Sequence, residues 1–307
     1  MQIHTDWQRL DPAARGASVA LGNFDGLHLG HQSVIDLARG HGPLGVVTFE
    51  PHPREFFAPD APPFRLMNIE SRANRLEKLG VEHLFQLTFD ENLSHLTPEE
   101  FARLVLAEGL GISHVVVGQD FHFGNKRAGD AVILQKLGRQ LGFATTIAPL
   151  LKVDGIQISS TAIREALAEG RPRDAARMLG HWHRIDGEVI HGEKRGRTLG
   201  FPTANMSLEG LHLPKFGVYA VRVDILTGPH AGRFMGAASL GLRPMFNGAV
   251  PNLETWLMDF KGDIYGEHLS IALVDYLRPE MKFDDLPTLV AQMKEDGTRA
   301  RAILSAS

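Results

Sequence analysis

Cysteine is absent from the 307 residues, so neither disulfides nor thiolate metal sites can be built. No run approaches the ~18 consecutive apolar residues of a membrane span, and the opening MQIHTDWQRL lacks the apolar core of a secretory signal. A cytoplasmic protein with no membrane partner is expected. Neither sign of charge dominates: 32 Lys and Arg against 36 Asp and Glu leave a formal net charge of −4. Nothing therefore demands a polyanionic partner and no nucleic acid is expected, although local basic patches can still hold small phosphates. Internal repeats and low-complexity linkers are missing too, which leaves room for two adjoining domains.

What is present is a chain with a 43% hydrophobic fraction, enough to bury ordinary cores. From Ser18 to about Pro149, short apolar runs (SVALG, LGVVTF, HLFQLTF, HVVVG, FATTIA) alternate with helical patterns. One helix is well marked at its start: in TPEEFARLVLAEGLG, Thr97 and Glu100 form a capping box with Pro98 at the first helical position. Another, SRANRLEKLG, keeps Leu76 and Leu79 on one face and stops at Gly80. Such alternation predicts a parallel sheet with helices on both faces and ligands beyond the strand C-termini. After Gly180 the composition turns β-rich, with GEVIH, GVYAVRVDIL, RFMGAASLG, NLETWLMDF and EHLSIALVDYL separated by Gly, Pro and Asn. This reads as an antiparallel barrel or sandwich, closed by a charged helical tail from about Asp284 to Leu304. The expected fold class is α/β, a Rossmann-like domain over 1–181 followed by a β-barrel domain over 182–307 with a terminal helix.

The densest chemistry of the first half is SVALGNFDGLHLGHQS, residues 18–33. The strand breaks at Gly22, passes Asn23, Phe24, Asp25 and Gly26, and presents His28 and His31 just before an amphipathic segment. A helix N-terminus there offers unpaired N–H groups and a positive dipole end, to which two imidazoles add donors. Two histidines three apart also suit a metal half-site or a polar surface turn, but no Cys ligand is available and the order of residues favours phosphate. Gly30, with no side chain, would let a nucleotide lie against the backbone. Comparable strand ends carry TFEPHPREFF, where Pro51 and Pro53 stiffen a turn bearing His52 and Arg54, and GQDFHFGNKRAGD, whose Phe121 and Phe123 suit core packing as well as ring stacking. In ISSTAIREALAEG, Ser159, Ser160 and Thr161 can cap a helix carrying Arg164 in its first turn. An arginine there opposes the dipole, which makes sense beside a bound anion.

In the β-rich half, HGEKRGRTLGFPTANM combines Gly192, Gly196 and Gly200 with Lys194, Arg195 and Arg197 in a basic loop suited to phosphate, though equally to a solvated hairpin. Its spacing is not that of a Walker A loop. Thr203 and Asn205 follow two apart, so in extended backbone they point the same way, and a hydroxyl with an amide carbonyl suits Mg²⁺ shared with phosphates. In NLETWLMDF the period of two puts Glu254 beside Trp256, Met258 and Phe260. A carboxylate desolvated on such a face would be poised to take a proton from a hydroxyl; a solvated strand-edge residue is the alternative.

GNFDGLHLGH resembles the HxGH motif of the nucleotidylyl transferase superfamily. Together with TFEPHPRE, GQDFHFG and ISSTAIR, then GRTLGFPTAN, GVYA, LETWLMDF and DIYGEHL in order, it is similar over nearly the whole chain to the prokaryotic bifunctional riboflavin kinase/FAD synthetase family. The resemblance implies phosphorylation of riboflavin to FMN by ATP in the barrel, then adenylylation of FMN by a second ATP to FAD and pyrophosphate in the α/β domain. It implies that Glu254 activates the riboflavin hydroxyl, and that Thr203 and Asn205 hold Mg²⁺ and ATP phosphates with Gly192 and Arg197 nearby. His28 and His31 would stabilise the α-phosphate within the Gly22, Asn23, Phe24, Asp25 and Gly30 loop, with Ser159, Ser160 and Arg164 on pyrophosphate. Phe49, Pro51, His52, Pro53, Asp120, Phe121 and Trp256 would meet flavin. A monomer or weak homo-oligomer is expected. Two positions depart from the family pattern, Met245 in place of a Thr after Arg-Pro and His122 in place of an Arg, and neither carries the expected chemistry. A class I aminoacyl-tRNA synthetase would share the histidine pair, but ISSTAIR has no lysine of a KMSKS-like loop. A flavin carrier with dead sites would have no need of His28, His31, Thr203 and Glu254.

Overall fold

The computed structural model describes residues 1–153, 156–191, 201–245 and 248–306. Packing divides the chain into two compact units, one of Met1–Pro62 with Arg72–Ile158, the other of Pro63–Ser71 with Ser159–Ser307.

The first unit is built on strands β1 (Gln2–His4), β2 (Ser18–Leu21), β3 (Leu44–Glu50), β4 (His83–Thr88), β5 (His114–Gly118) and β8 (Ala144–Ala148), hydrogen-bonded in the order β1-β4-β3-β2-β5-β8. Every pairing in this sheet is parallel. Two short strands, β6 (His122–Phe123) and β7 (Gly129–Asp130), form a separate ribbon before β8, and β9 (Lys152–Val153) pairs with β10 (Ile156–Gln157) after it. The five apolar runs read from the sequence are β2, β3, β4, β5 and β8; the edge strand β1 is an addition, its three residues being too few to show a period. Helix α1 (Leu29–Ala38) follows β2 and packs on β2, β3 and β5. The opposite face carries Val19, Leu21, Val47, Phe85, Leu87, Val115 and Val117 in one core with Phe101, Val105 and Leu106. Burial of both faces explains why these strands read as continuous apolar runs. The Thr97 cap forms as expected: its hydroxyl accepts from the Glu100 N–H at 3.2 Å, and the Glu100 carboxylate accepts from the Thr97 N–H at 2.8 Å. That helix continues as a π-helical stretch, Phe101–Leu110, ended by Gly111 at φ 58°.

From β2 the chain steps outward through β3 and β4 on one side, and β5 and β8 lie on the other, so the order reverses between β2 and β5. In a parallel sheet such a reversal opens a crevice beyond the strand C-termini, and the loop 22–28 starts there.

The second unit holds strands β11 (His183–Glu188), β12 (Thr203–Ser207), β13 (Gly217–Ile225), β14 (Gly232–Met245), β15 (Gly248–Leu257) and β16 (His268–Arg278), in the order β11-β16-β13-β14-β15-β12. All pairings are antiparallel. The Ile190 N–H donates to the Asn205 carbonyl at 2.9 Å, joining the two edge segments and closing the sheet into a barrel. Its interior is filled by Ile185, Met206, Tyr219, Val221, Leu240, Leu253 and Leu273 among others. A long C-terminal helix, Leu286–Ser305, is capped by Asp285 and packs on the outside against Trp256 and Met258 through Ala300 and Leu304. The strap 63–71 belongs to this unit: the Asn68 amide donates to the Asp186 carbonyl at 2.7 Å, and His268 Nδ1 lies 2.8 Å from a Glu70 carboxylate oxygen. The sequence carries no sign of this attachment, because it is made by polar contacts far apart in the chain.

Candidate active sites

In the first unit, His28 is the N-cap of α1, and its Nδ1 accepts the His31 backbone N–H at 3.2 Å. A ring nitrogen used as acceptor leaves the proton of the neutral imidazole on Nε2, so His28 carries a donor on its other edge. The His28 and His31 rings stack with centroids 3.6 Å apart, and Phe24 meets the His31 ring edge-on at 5.3 Å. Burial, with His28 alongside as a second cause, holds the His31 imidazole well below its ordinary range, so His31 is neutral at pH 7. Its Nδ1 is buried without a hydrogen-bond partner. Phe24 at φ 53° and Leu27 at φ 46° both take left-handed backbone, a strained pair that curls the loop back onto the helix start.

The structure defines the surroundings of two residues of this loop. Phe24 is 1% exposed and sits in the core, so only its backbone can face a ligand, while its ring props His31. Gly30 also makes room for the His28 ring: a Cβ there would lie 3.1 Å from His28 Cε1 and Nδ1. Among the other residues read as ligand-binding, Gly22 donates to the Val47 carbonyl, the Asn23 carbonyl accepts from the Thr48 hydroxyl at 3.2 Å, and Asp25 is buried. Pro51 follows a cis peptide after Glu50, and His52 with Glu55 forms a capping box on a short helix, Pro53–Phe57. Phe49 and Phe89 meet at 5.8 Å, and Phe121 stacks on the buried Phe123 at 5.7 Å, in keeping with core packing; Asp120 is exposed.

Ser159, Ser160 and Arg164 fall in the second unit. Ser159 caps the helix Ser160–Ala168 by accepting from the Ala162 N–H at 3.2 Å. Arg164 Nε donates to the Phe64 carbonyl at 2.6 Å, with the guanidinium 5.2 Å over the Phe64 ring.

On the barrel, Ala204, Met206, Leu253 and Leu257 face the interior, so the alternate residues of β12 and β15 face out. The register sets Thr203 opposite Trp256, Asn205 opposite Glu254, and Ser207 opposite Asn252. One outward patch thus holds the hydroxyl, the amide and the carboxylate that the period of two had grouped only within their own strands. Thr203 and Asn205 also line a cavity of about 140 Å³ with Pro202, Lys261, Asp263 and Tyr265. Glu254 is exposed, which fits the solvated of the two readings the sequence left open. Its strand neighbour Trp256 is covered by the C-terminal helix, since a Cβ on Gly297 would come 2.6 Å from the indole, and it meets Phe201 edge-on at 4.9 Å. Sequence reasoning missed Asn252, buried at 5% exposure, whose Nδ2 donates to Asn205 Oδ1 at 2.9 Å and to Glu254 Oε1 at 3.4 Å. Its signal was the same period of two that picked out Glu254. Gly192 and Arg197 lie outside the described residues, and the side chain of Met245 is likewise not described.

Among the described residues no cluster of three or more His, Asp or Glu could hold a metal ion on its own. The oxygen pair of Thr203 and Asn205 still fits a hard cation that draws its other ligands from phosphates and water, the usual habit of Mg²⁺ at nucleotide sites.

Two candidate sites on two folds fit a two-module enzyme, and two family models match the chain in succession. Residues 10–162 match the family model for FAD synthetase, and residues 179–304 that for riboflavin kinase. A bifunctional riboflavin kinase/FMN adenylyltransferase of Pseudomonas fluorescens is 39% identical over 313 residues, 100% of this chain and 99% of the relative. Its Escherichia coli K12 counterpart is 38% identical over 291 residues, 93% of this chain and 92% of the relative. The chain belongs to the bifunctional riboflavin kinase/FMN adenylyltransferase family. A solved structure from Streptococcus pneumoniae, described as a macrolide-efflux protein, shares the fold with a TM-score of 0.83 and 31% identity over 98% of each chain. In the present chain, no helix among the described residues is long and apolar enough to cross a membrane.

Proposed function

We propose that the barrel converts riboflavin to FMN with one ATP, and that the parallel-sheet unit joins FMN to the adenylyl group of a second ATP, giving FAD and pyrophosphate. The observation that carries the residue assignment is the register of β12 on β15, which faces Asn205 with Glu254 beside Thr203 on one outer patch. Glu254, exposed and able to reach a docked substrate, takes the proton of the riboflavin 5′-hydroxyl as that oxygen attacks the γ-phosphorus. Mg²⁺ bound to Thr203 and Asn205 together with ATP phosphates would neutralise charge on the transferred group. Gly192 and Arg197, outside the described residues, are assigned to the same phosphates. Trp256, under the C-terminal helix, is assigned to flavin.

Adenylyl transfer asks for different chemistry. The attacking group is the FMN phosphate, already an oxyanion, so no base is needed; what must be stabilised is the charge gathering on the α-phosphate. His28 supplies an Nε2–H donor beside the α1 N-terminus, and stacked, neutral His31 keeps its partner in that pose. Gly22, Asn23, Asp25 and Gly30 shape the loop, Phe24 takes part through its backbone, and Ser159, Ser160 and Arg164 are assigned to the outgoing pyrophosphate. Phe49, Pro51, His52, Pro53, Asp120 and Phe121 are assigned to FMN. A cytoplasmic monomer or weak homo-oligomer without nucleic-acid or membrane partners completes the reading. The functional boundary is placed between 181 and 182. Incubation with riboflavin, ATP and Mg²⁺ and chromatographic separation of flavins tests it: FMN and then FAD are expected, and flavin binding without either product would favour a carrier.

A further inference from the structure

We propose that Asn252 is a positioning residue of the kinase site, acting through Asn205 and Glu254. The inference rests on the assignment of Asn205 as a metal ligand and Glu254 as the base. An asparagine amide has two faces of nearly the same shape, and only the oxygen suits a cation; rotated by half a turn, it offers N–H groups instead. Something must therefore fix which way Asn205 points. Asn252 Nδ2 donates to Asn205 Oδ1 at 2.9 Å, and a turned Asn205 would bring two NH₂ groups face to face. Asn252 has the same ambiguity, and Glu254 settles it. The second proton of the Asn252 amide points to Glu254 Oε1 at 3.4 Å, and an ionised carboxylate only accepts, so a turned Asn252 would set oxygen against oxygen.

Orientation thus runs from Glu254 through Asn252 to Asn205, along three residues on adjacent strands. Asn205 and Asn252 are 4% and 5% exposed, so water is a poor substitute for the bond between them. The carboxylate that takes the proton also sets the direction of the amide that faces the metal, so the two halves of the proposed kinase chemistry are linked through one buried side chain.

The test uses the full-length chain. Mg·ADP is titrated calorimetrically, and the binding component weakened by Asn205→Ala marks the kinase site among the nucleotide sites of the protein. Asn252→Leu, close in size and without the donor, is expected to weaken that component about tenfold while leaving ADP binding in EDTA unchanged. It should also raise by a similar factor the Mg²⁺ needed for half-maximal FMN formation. In an Asn205→Ala background the same substitution is expected to change neither value, because its effect passes through Asn205. Should Asn252→Leu fail to give a cooperative melt, Asn252→Ala takes its place. Wild-type Mg·ADP binding by a folded Asn252 variant, with Asn205→Ala weakened, overturns the positioning role alone. Equal weakening with and without metal means a general structural loss and overturns it as well. If Asn205→Ala binds Mg·ADP as wild type does, the metal-site reading fails and the positioning role falls with it.

Discussion

The proposed histidine site of the parallel-sheet unit and the proposed carboxylate site of the barrel differ in how their groups are held. One is closed: His28 is 8% exposed, His31 is kept neutral by burial, and both are held by a helix start and a strained loop. The other lies open on a sheet face, where Glu254 is exposed and its alignment comes from strand register and a buried amide. On the proposed roles, the contrast would follow the nucleophile: a phosphate oxygen needs no deprotonation, so its site can be made of fixed donors, whereas a hydroxyl must lose its proton, so its site needs a carboxylate that can reach it.

The comparison can be broken at several depths. The largest effects are expected at the groups nearest the chemistry. Glu254→Ala should lower FMN formation by about 10²–10⁴-fold while FAD formation from supplied FMN stays near wild type. His28→Ala should do the reverse, lowering FAD formation by about 10²–10³-fold and sparing FMN formation. Product chromatography with each substrate supplied separately reads both. A smaller loss, on the order of tenfold in FAD formation alone, is expected for Gly30→Ala, which presses a methyl group onto the His28 ring and shifts its donor. Were that variant to act as wild type, the ring's position would not matter as argued.

The smallest effect is one of pH. His183, buried at the start of β11, is pushed down from 6.5 to about 3, first by burial and then by His181 and His212. Between those values the unfolded chain binds a proton on this residue that the folded chain does not. Its contribution to stability is therefore fully present above pH 6.5 and is lost as pH falls toward 3. Urea unfolding of the barrel at pH 7 and pH 5 should show a loss on acidification that His183→Gln reduces.

The two sites were unequally legible. The histidine site is local: the strand, Gly22, His28, Gly30 and His31 lie between Ser18 and His31, so their order alone announced a helix start beside a strand end. Even there, the closeness of the His28 ring to Gly30 was not legible, because which group lies beside a glycine is decided by a rotamer, not by spacing. The barrel site is assembled across strands. The period of two placed Thr203 with Asn205 and Glu254 with Trp256, but pairing one set against the other needs register, which sequence periodicity leaves open. The exposure of Glu254 was left open for a related reason: an apolar strand face can be covered at one end, where the C-terminal helix meets Trp256, and open two residues away. Asn252 went unseen because its value is to bond two residues from two strands. The fold was read more fully, since apolar runs and caps are local, although the short strands β1, β6 and β7, the π-helical stretch and the strap 63–71 escaped.

The central claim is that the two sites work independently, each with its own ATP. Mixing the Glu254→Ala and His28→Ala proteins tests this most directly, with riboflavin, ATP and Mg²⁺ supplied and flavins resolved over time. Neither variant alone should make FAD from riboflavin at more than a trace, and the mixture should make it after a lag, as FMN released by one is adenylylated by the other. A mixture that accumulates FMN and no FAD, or either variant losing both reactions while folded, would contradict the account.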